Sequence, residues 1–132
     1  MVGLNLKMVC LAGAKEITDS SLVHLEGMTR LERIDLFRTN VGDAGLPHLE
    51  RLPRLRFLHL GQTKVTNAGM EHVGRMHGVS TLILGETKVG DAGLDRLRAL
   101  GGLKVLQLSR TAVSDSGVRS LRTALPRAPI SP

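Results

Sequence analysis

Hydrophobic positions recur along this chain with a long period. From Leu31 the letters read LERIDLFRTNVGDAGLPHLERLPR, and LRFLHLGQTKVTNAGMEHVGRMHG, VSTLILGETKVGDAGLDRLRALGG and LKVLQLSRTAVSDSGVRSLRTALP align beneath it. The copies start at Leu31, Leu55, Val79 and Leu103, each 24 residues after the last. An earlier copy starts at Leu6, LKMVCLAGAKEITDSSLVHLEGMTR, with one extra residue before Ile17. A fixed period of this length marks stacked units that bury their apolar faces against one another.

Within a copy the pattern changes its local period. The opening L-x-x-L-x-L predicts a short strand whose alternate residues point inward: Val9/Leu11, Ile34/Leu36, Leu58/Leu60, Leu82/Leu84 and Leu106/Leu108. Thr39, Thr63, Thr87 and Thr111 follow, with Ala14 in the first copy, and a hydroxyl there can bond the backbone where the unit turns. Ile17, Val41, Val65, Val89 and Val113 return to the core. Asp19, Asp43, Asn67, Asp91 and Asp115 then read as N-caps of a short helix. In the second copy Leu46, Leu49 and Leu52 form its buried stripe, and Pro47 is placed in its first turn. Pro53 and Gly101-Gly102 end helices before the next strand.

The string L-x-x-L-x-L-x-x-T-x-V-x-D-x-G-L-x-x-L-x-x-L resembles leucine-rich repeats of a 24-residue, bacterial-like type. The first copy, with ITDSSL, is also similar to the cysteine-containing repeats of F-box substrate receptors. Thr stands where many leucine-rich repeats carry Asn, Cys is absent from that column, and no F-box or kinase segment accompanies the repeats. The resemblance implies an α/β fold: a right-handed solenoid with a parallel sheet on the concave side and short helices on the convex side. It also implies macromolecular binding. The expected organisation is one domain over 1–132, with repeats 6–30, 31–54, 55–78, 79–102 and 103–126 and a stunted edge strand in 127–132. There Ile130 takes the place of a strand leucine, and Pro129 and Pro132 stop further pairing.

Composition agrees with a stacked core. The chain has 132 residues and is 42% hydrophobic, yet it holds two Phe, no Trp and no Tyr. Both phenylalanines, Phe37 and Phe57, fall on strand positions expected to face outward, where packing alone does not call for them. Beside them on neighbouring strands lie Arg33, Asp35 and His59, then Thr81 and Ile83, with Gly61 and Gly85 giving a shallow floor. An aromatic-plus-arginine cluster of this kind suits a binding hot spot, and these seven residues are the expected partner-binding set. The partner class is a protein.

Net charge is +6, and from Leu103 onward five basic residues face Asp115 alone. Arg98 and Arg122, Arg51 and Arg75, and Lys64 and Lys88 share columns, so binding of nucleic acid or another polyanion is the alternative function. His24, His48 and His72 also share a column. They lack a carboxylate or cysteine in register, so a solvated stripe is expected and no metal or other cofactor. No Ser stands beside Asp35 and His59, and Cys10 is two strands from His59, so no catalytic residue and no enzyme activity is expected.

Cys10 is the only cysteine, which fits a reducing, cytoplasmic setting. Met1–Ala14 lacks a basic start, Lys7 interrupts its apolar run, and no segment is long enough to span a membrane. No capping helix precedes the first strand. The edge at Leu6, Val9 and Leu11 is therefore expected to be open, for a second copy, a partner or an upstream segment to cover.

Overall fold

The computed structural model describes residues 6–126 and 129–131. The expectations for Met1–Asn5, Arg127 and Pro132 lie outside the described residues. Each copy forms one coil. Its strand is three residues long: β1 (Met8–Cys10), β2 (Arg33–Asp35), β3 (Phe57–His59), β4 (Thr81–Ile83) and β5 (Val105–Gln107). A two-residue β6 (Ile130–Ser131) follows, and the six strands lie parallel in sequence order.

Register follows the template. Met8 pairs with Arg33, Arg33 with Phe57, Phe57 with Thr81, and Thr81 with Val105. The extra residue of the first copy is absorbed in the turn before Ile17, so the sheet does not slip. Ile130 pairs with Leu106 and is buried, while the Pro129 carbonyl accepts the Leu106 amide at 3.1 Å. A proline keeps its acceptor when it loses its donor.

The helical side varies more than the strands. The first two coils carry 3-10 helices, Asp19–Leu25 and Asp43–Leu49. The next three carry α1 (Asn67–Val73), α2 (Asp91–Asp95, continued by a 3-10 turn Arg96–Ala99) and α3 (Asp115–Ala124). The leucine spacing of three suits a helix with three residues per turn: Leu46 and Leu49 are fully buried on one face. Pro47 is the fifth residue of its helix, beyond the first turn, and it is exposed.

The core is one continuous stack. Ile34, Leu36, Leu58, Leu60, Leu82 and Leu84 from the strands meet Val41, Val65 and Val89 and the helix residues Leu46, Met70 and Leu94. Each such aliphatic side chain contributes about 1.5–3 kcal/mol by leaving water. The threonine column does what its position demands. Thr39, Thr63, Thr87 and Thr111 donate to the carbonyls of Leu36, Leu60, Leu84 and Leu108 at 2.6–2.8 Å.

The residue before each threonine is left-handed. Gly13 fills this place in the first coil, but Arg38, Gln62, Glu86 and Arg110 fill it in the others, with φ of 53° to 60°. A side chain in that region is disfavoured by roughly 1–2 kcal/mol.

One helix-start expectation is corrected. Asp19, Asp43, Asn67, Asp91 and Asp115 are the first helical residues, and the N-caps are Thr18, Gly42, Thr66, Gly90 and Ser114. The acidic column instead bonds the next coil. Asp19 Oδ1 accepts the Gly42 amide at 2.6 Å, Asp43 that of Thr66 at 2.7 Å, Asn67 that of Gly90 at 2.7 Å, and Asp91 that of Ser114 at 2.8 Å. The stacking of coils brings an orphan amide of one helix start to a carboxylate some two dozen residues earlier. From the second coil on, the glycine two positions into the helix (Gly45, Gly69, Gly93, Gly117) completes the device. A Cβ at Gly45 would stand 2.8 Å from Asp19 Oδ1, and at Gly69, Gly93 and Gly117 it would be nearer still to the corresponding oxygen.

Candidate functional site

The outward strand positions form two registered rows. One holds Met8, Arg33, Phe57, Thr81 and Val105, the other Cys10, Asp35, His59, Ile83 and Gln107. Phe37, Gly61, Gly85 and Ser109 continue each strand two residues further. Seven residues were expected on this face, and all seven lie on it.

Their side chains are not independent. The Arg33 guanidinium carbon lies 4.1 Å from the Phe57 ring centroid, a cation–π contact. The Phe37 and His59 rings pack at 5.0 Å, tilted by 46°. Both phenylalanines are therefore half-buried rather than freely exposed. Asp35 Oδ1 accepts the Phe37 amide at 3.0 Å, and Cys10 Sγ points at Asp35 Oδ2 from 4.0 Å. His59 Nδ1 accepts the Gly61 amide at 3.1 Å, so the ring carries its proton on Nε2 and is neutral. Burial pushes the His59 pKa below its ordinary value, and the Asp35 carboxylate opposes this more weakly. Asp35 and His59 are register partners, but Asp35 takes the Phe37 amide and the Cys10 thiol and His59 takes the Gly61 amide, instead of bonding each other.

Two shallow hollows result. Met8, Cys10, Arg33, Asp35 and Phe57 line one of about 160 Å³. Phe37, His59 and Ile83 line the other, of about 150 Å³, with Gly61, Gly85, Glu86, Gln107 and Ser109. Thr81 lines neither. Glycine is needed at the floor of the second, since a Cβ on Gly61 would come within 2.7 Å of the His59 ring and 3.2 Å of Phe37. Column reading alone did not single out Met8, Cys10, Glu86, Gln107 or Ser109. The first two and Gln107 continue the rows of the expected residues, and that was the available signal. Glu86 gives none, because its placement depends on the left-handed turn.

The opposite side corrects the histidine reading. His48 Nδ1 lies 3.3 Å from Glu26 Oε1, and His72 Nδ1 contacts Glu50 Oε1. His48 and His72 thus each have a carboxylate, two residues past the preceding coil's histidine, because neighbouring helices are offset. No group of three metal-ligating side chains forms among the described residues. Several arginines of the basic columns also have partners: Arg75 with Glu50 and Glu71, Arg98 with Asp95 and Ser120, and Arg122 with the Ile130 carbonyl. A larger hollow of about 440 Å³ lies between α2 and α3, where Asp91 is bonded to Ser114 and Arg98 to Asp95 and Ser120.

No family model and no curated protein matches the sequence. Solved structures do match. A leucine-rich-repeat protein of Leptospira interrogans superposes with a TM-score of 0.66 at 18% identity, over 83% of this chain and 27% of that one. An internalin of Listeria monocytogenes gives 0.56 at 19% identity, over 83% of this chain and 36% of its own. A second internalin of that species gives 0.56 at 16% identity, over 94% of this chain and 69% of its own. The chain has the leucine-rich-repeat fold. Its sheet is the concave face of that solenoid and its helices the convex face. The chain spans about a third or less of the length of the first two matched proteins. Among the described residues no helix is long and apolar enough to cross a membrane.

Proposed function

We propose that this leucine-rich-repeat chain is a non-enzymatic protein-interaction module that takes its partner on the concave sheet. The supporting observation is the ordered cluster of Arg33 on Phe57 and Phe37 on His59 around Asp35, with Thr81 and Ile83 extending it. Aromatic and arginine side chains held in place before binding lose little freedom on contact, which is what a hot spot requires. Both hollows on this face are open and shallow, so neither excludes water as a catalytic site would. A free thiol at Cys10 accords with a reducing, cytoplasmic setting.

Size limits the partner. Five strands span roughly 20 Å and three outward positions roughly 13 Å, so the platform offers ~300 Å². A standard interface buries about 800 Å² per partner. A contact confined to these five strands is therefore with a short segment, and a larger one extends beyond them, for example onto the turns flanking the sheet. Polyanion binding by Lys64, Lys88 and the arginine columns is the lesser reading, since Arg75, Arg98 and Arg122 already have partners in the chain.

Affinity capture tests the proposal. Wild type and Phe37→Ser/Phe57→Ser are compared at low and high salt. Loss of a protein partner in the double variant, with retention at high salt, supports it. Capture unchanged by the double variant, or binding that collapses with salt, defeats it.

A further inference from the structure

Gln107 sets the second concave hollow apart. Its Oε1 is fully buried and has no hydrogen-bond partner, the only such side-chain atom among the described residues. Leaving a buried acceptor unmet costs about 1–3 kcal/mol. Its amide nitrogen is committed, donating to Ser109 Oγ at 2.5 Å, so Oε1 is turned toward Gly85. A Cβ on Gly85 would stand 2.6 Å from that oxygen, so glycine lets the Gln107 side chain lie against the floor, and a larger residue would make it shift.

The rest of the hollow is arranged for positive charge. Glu86 is the one formally charged residue lining it, in a chain whose net charge is +6. Among the described residues the Glu86 carboxylate has a single, long ion pair, to Arg110 at 3.9 Å, and Arg110 is 81% exposed. Phe37 offers a ring face, and His59 stays neutral because its Nδ1 accepts the Gly61 amide. The first hollow contrasts with this one: Arg33 lies within it, and its only carboxylate, Asp35, already accepts the Phe37 amide.

We propose that the hollow formed by Phe37, His59, Gly85, Glu86, Gln107 and Ser109 is a socket for a lysine ammonium presented by the partner protein. This rests on the concave face being the binding face, and it names the chemistry of what binds there. An ammonium brings three N–H donors and one positive charge. Glu86 takes the charge at the mouth and the aromatic rings flank the alkyl stem. The Gln107 side chain turns outward to give Oε1 an N–H, and Ser109 Oγ, released from Gln107, accepts a second.

The test uses the whole chain, labelled with ¹⁵N, and n-butylammonium as the probe, with n-butanol, butyrate and n-butylguanidinium compared at equal ionic strength. Expected are saturable shifts of the Gly85 and Ser109 amides and the Gln107 side-chain amide with butylammonium, and none with butanol. Glu86→Gln and Gln107→Met should each weaken binding about tenfold, the scale of one charge-assisted contact. Cys10→Ser, in the other hollow, should not change it. Equal shifts with butanol would make the hollow a mere apolar dent. Stronger shifts with butyrate would mean that it presents donors. Tighter binding of butylguanidinium would overturn the assignment to lysine. Because Glu86→Gln leaves Phe37 and Phe57 in place, loss of the socket alone should weaken partner capture without abolishing it, whereas Phe37→Ser/Phe57→Ser should abolish it.

Discussion

The first coil and the third coil obey one template yet solve the same problems differently. In the third coil Leu58 and Leu60 are fully buried between neighbours, and the Thr66 amide at the helix start is taken by Asp43 of the coil before. In the first coil Val9 and Leu11 are only partly buried, Leu6 is 43% and Met8 59% exposed, and among the described residues β1 pairs with β2 alone. Its helix start is closed from within. The Thr18 amide donates to Ser21 Oγ at 3.1 Å, and Ser21 occupies the column that is glycine in every later coil. An acidic side chain arriving from a preceding coil would meet the Ser21 Cβ, as it would at Gly45 or Gly69. From the second coil on, then, the residue that takes the helix-start amide belongs to the interface between coils, whereas at Thr18 it belongs to the same coil.

The largest effect should come from one core position compared in the two coils. Leu60→Ala should destabilise the chain by about 2–5 kcal/mol, because its surroundings cannot collapse into the space. Leu11→Ala, at the same template position, should lose only about 1 kcal/mol, since part of that side chain already meets water. Chemical denaturation measures both, and equal losses would mean that the first coil is as well packed as the third.

The next comparison concerns the acidic column. Asp43→Ala removes the partner of the Thr66 amide and hydroxyl and should cost about 1–3 kcal/mol. Gly69→Ala should cost a similar amount by pushing Asp43 out of place. The Asp115 side chain has no hydrogen bond among the described residues, so Asp115→Ala should lose only a few tenths from the helix dipole. Ser21→Gly follows in size. It leaves the Thr18 amide unbonded at an exposed end, for at most about 1 kcal/mol, and should be read as faster amide exchange at Thr18 with little change in the third coil.

What could be read from the letters follows the same division. Strands, core columns and the threonine turns were legible because each depends on neighbours within one copy. The acidic column was misread as a set of N-caps because its true partners lie in the next coil. The histidine column was read as lacking carboxylates for the same reason: His48 meets Glu26 and His72 meets Glu50 across a coil boundary. On the concave face the rows themselves were legible. The pairing of Arg33 with Phe57 and of Phe37 with His59, and with it the split into two hollows, was not. It arises from side-chain packing that no column states. The isolated Gln107 oxygen is further still from view, since Ile83 and Gln107 are equivalent in the pattern and opposite in chemistry.

The smallest effect compares the two sides of the solenoid by pH. Burial holds the folded His59 pKa below its ordinary value of 6.5, against the weaker pull of Asp35. The unfolded chain therefore binds the proton more readily, and stability rises with pH across the interval between the two values. The contribution is complete above the ordinary value and is lost as pH falls through the folded one. The chain holds four other histidines. The His59 share is therefore the difference between wild type and His59→Asn, whose side-chain oxygen can still accept the Gly61 amide. Denaturation midpoints taken between about pH 5 and 7 should converge toward acid, with wild type losing its advantage first. Parallel curves would mean that His59 is as readily protonated in the fold as outside it. Protonation also removes the acceptor that holds the Gly61 amide and adds a positive charge beside Phe37 and Glu86. Butylammonium should accordingly bind more weakly to wild type at the acid end of that range, and with little change to His59→Asn.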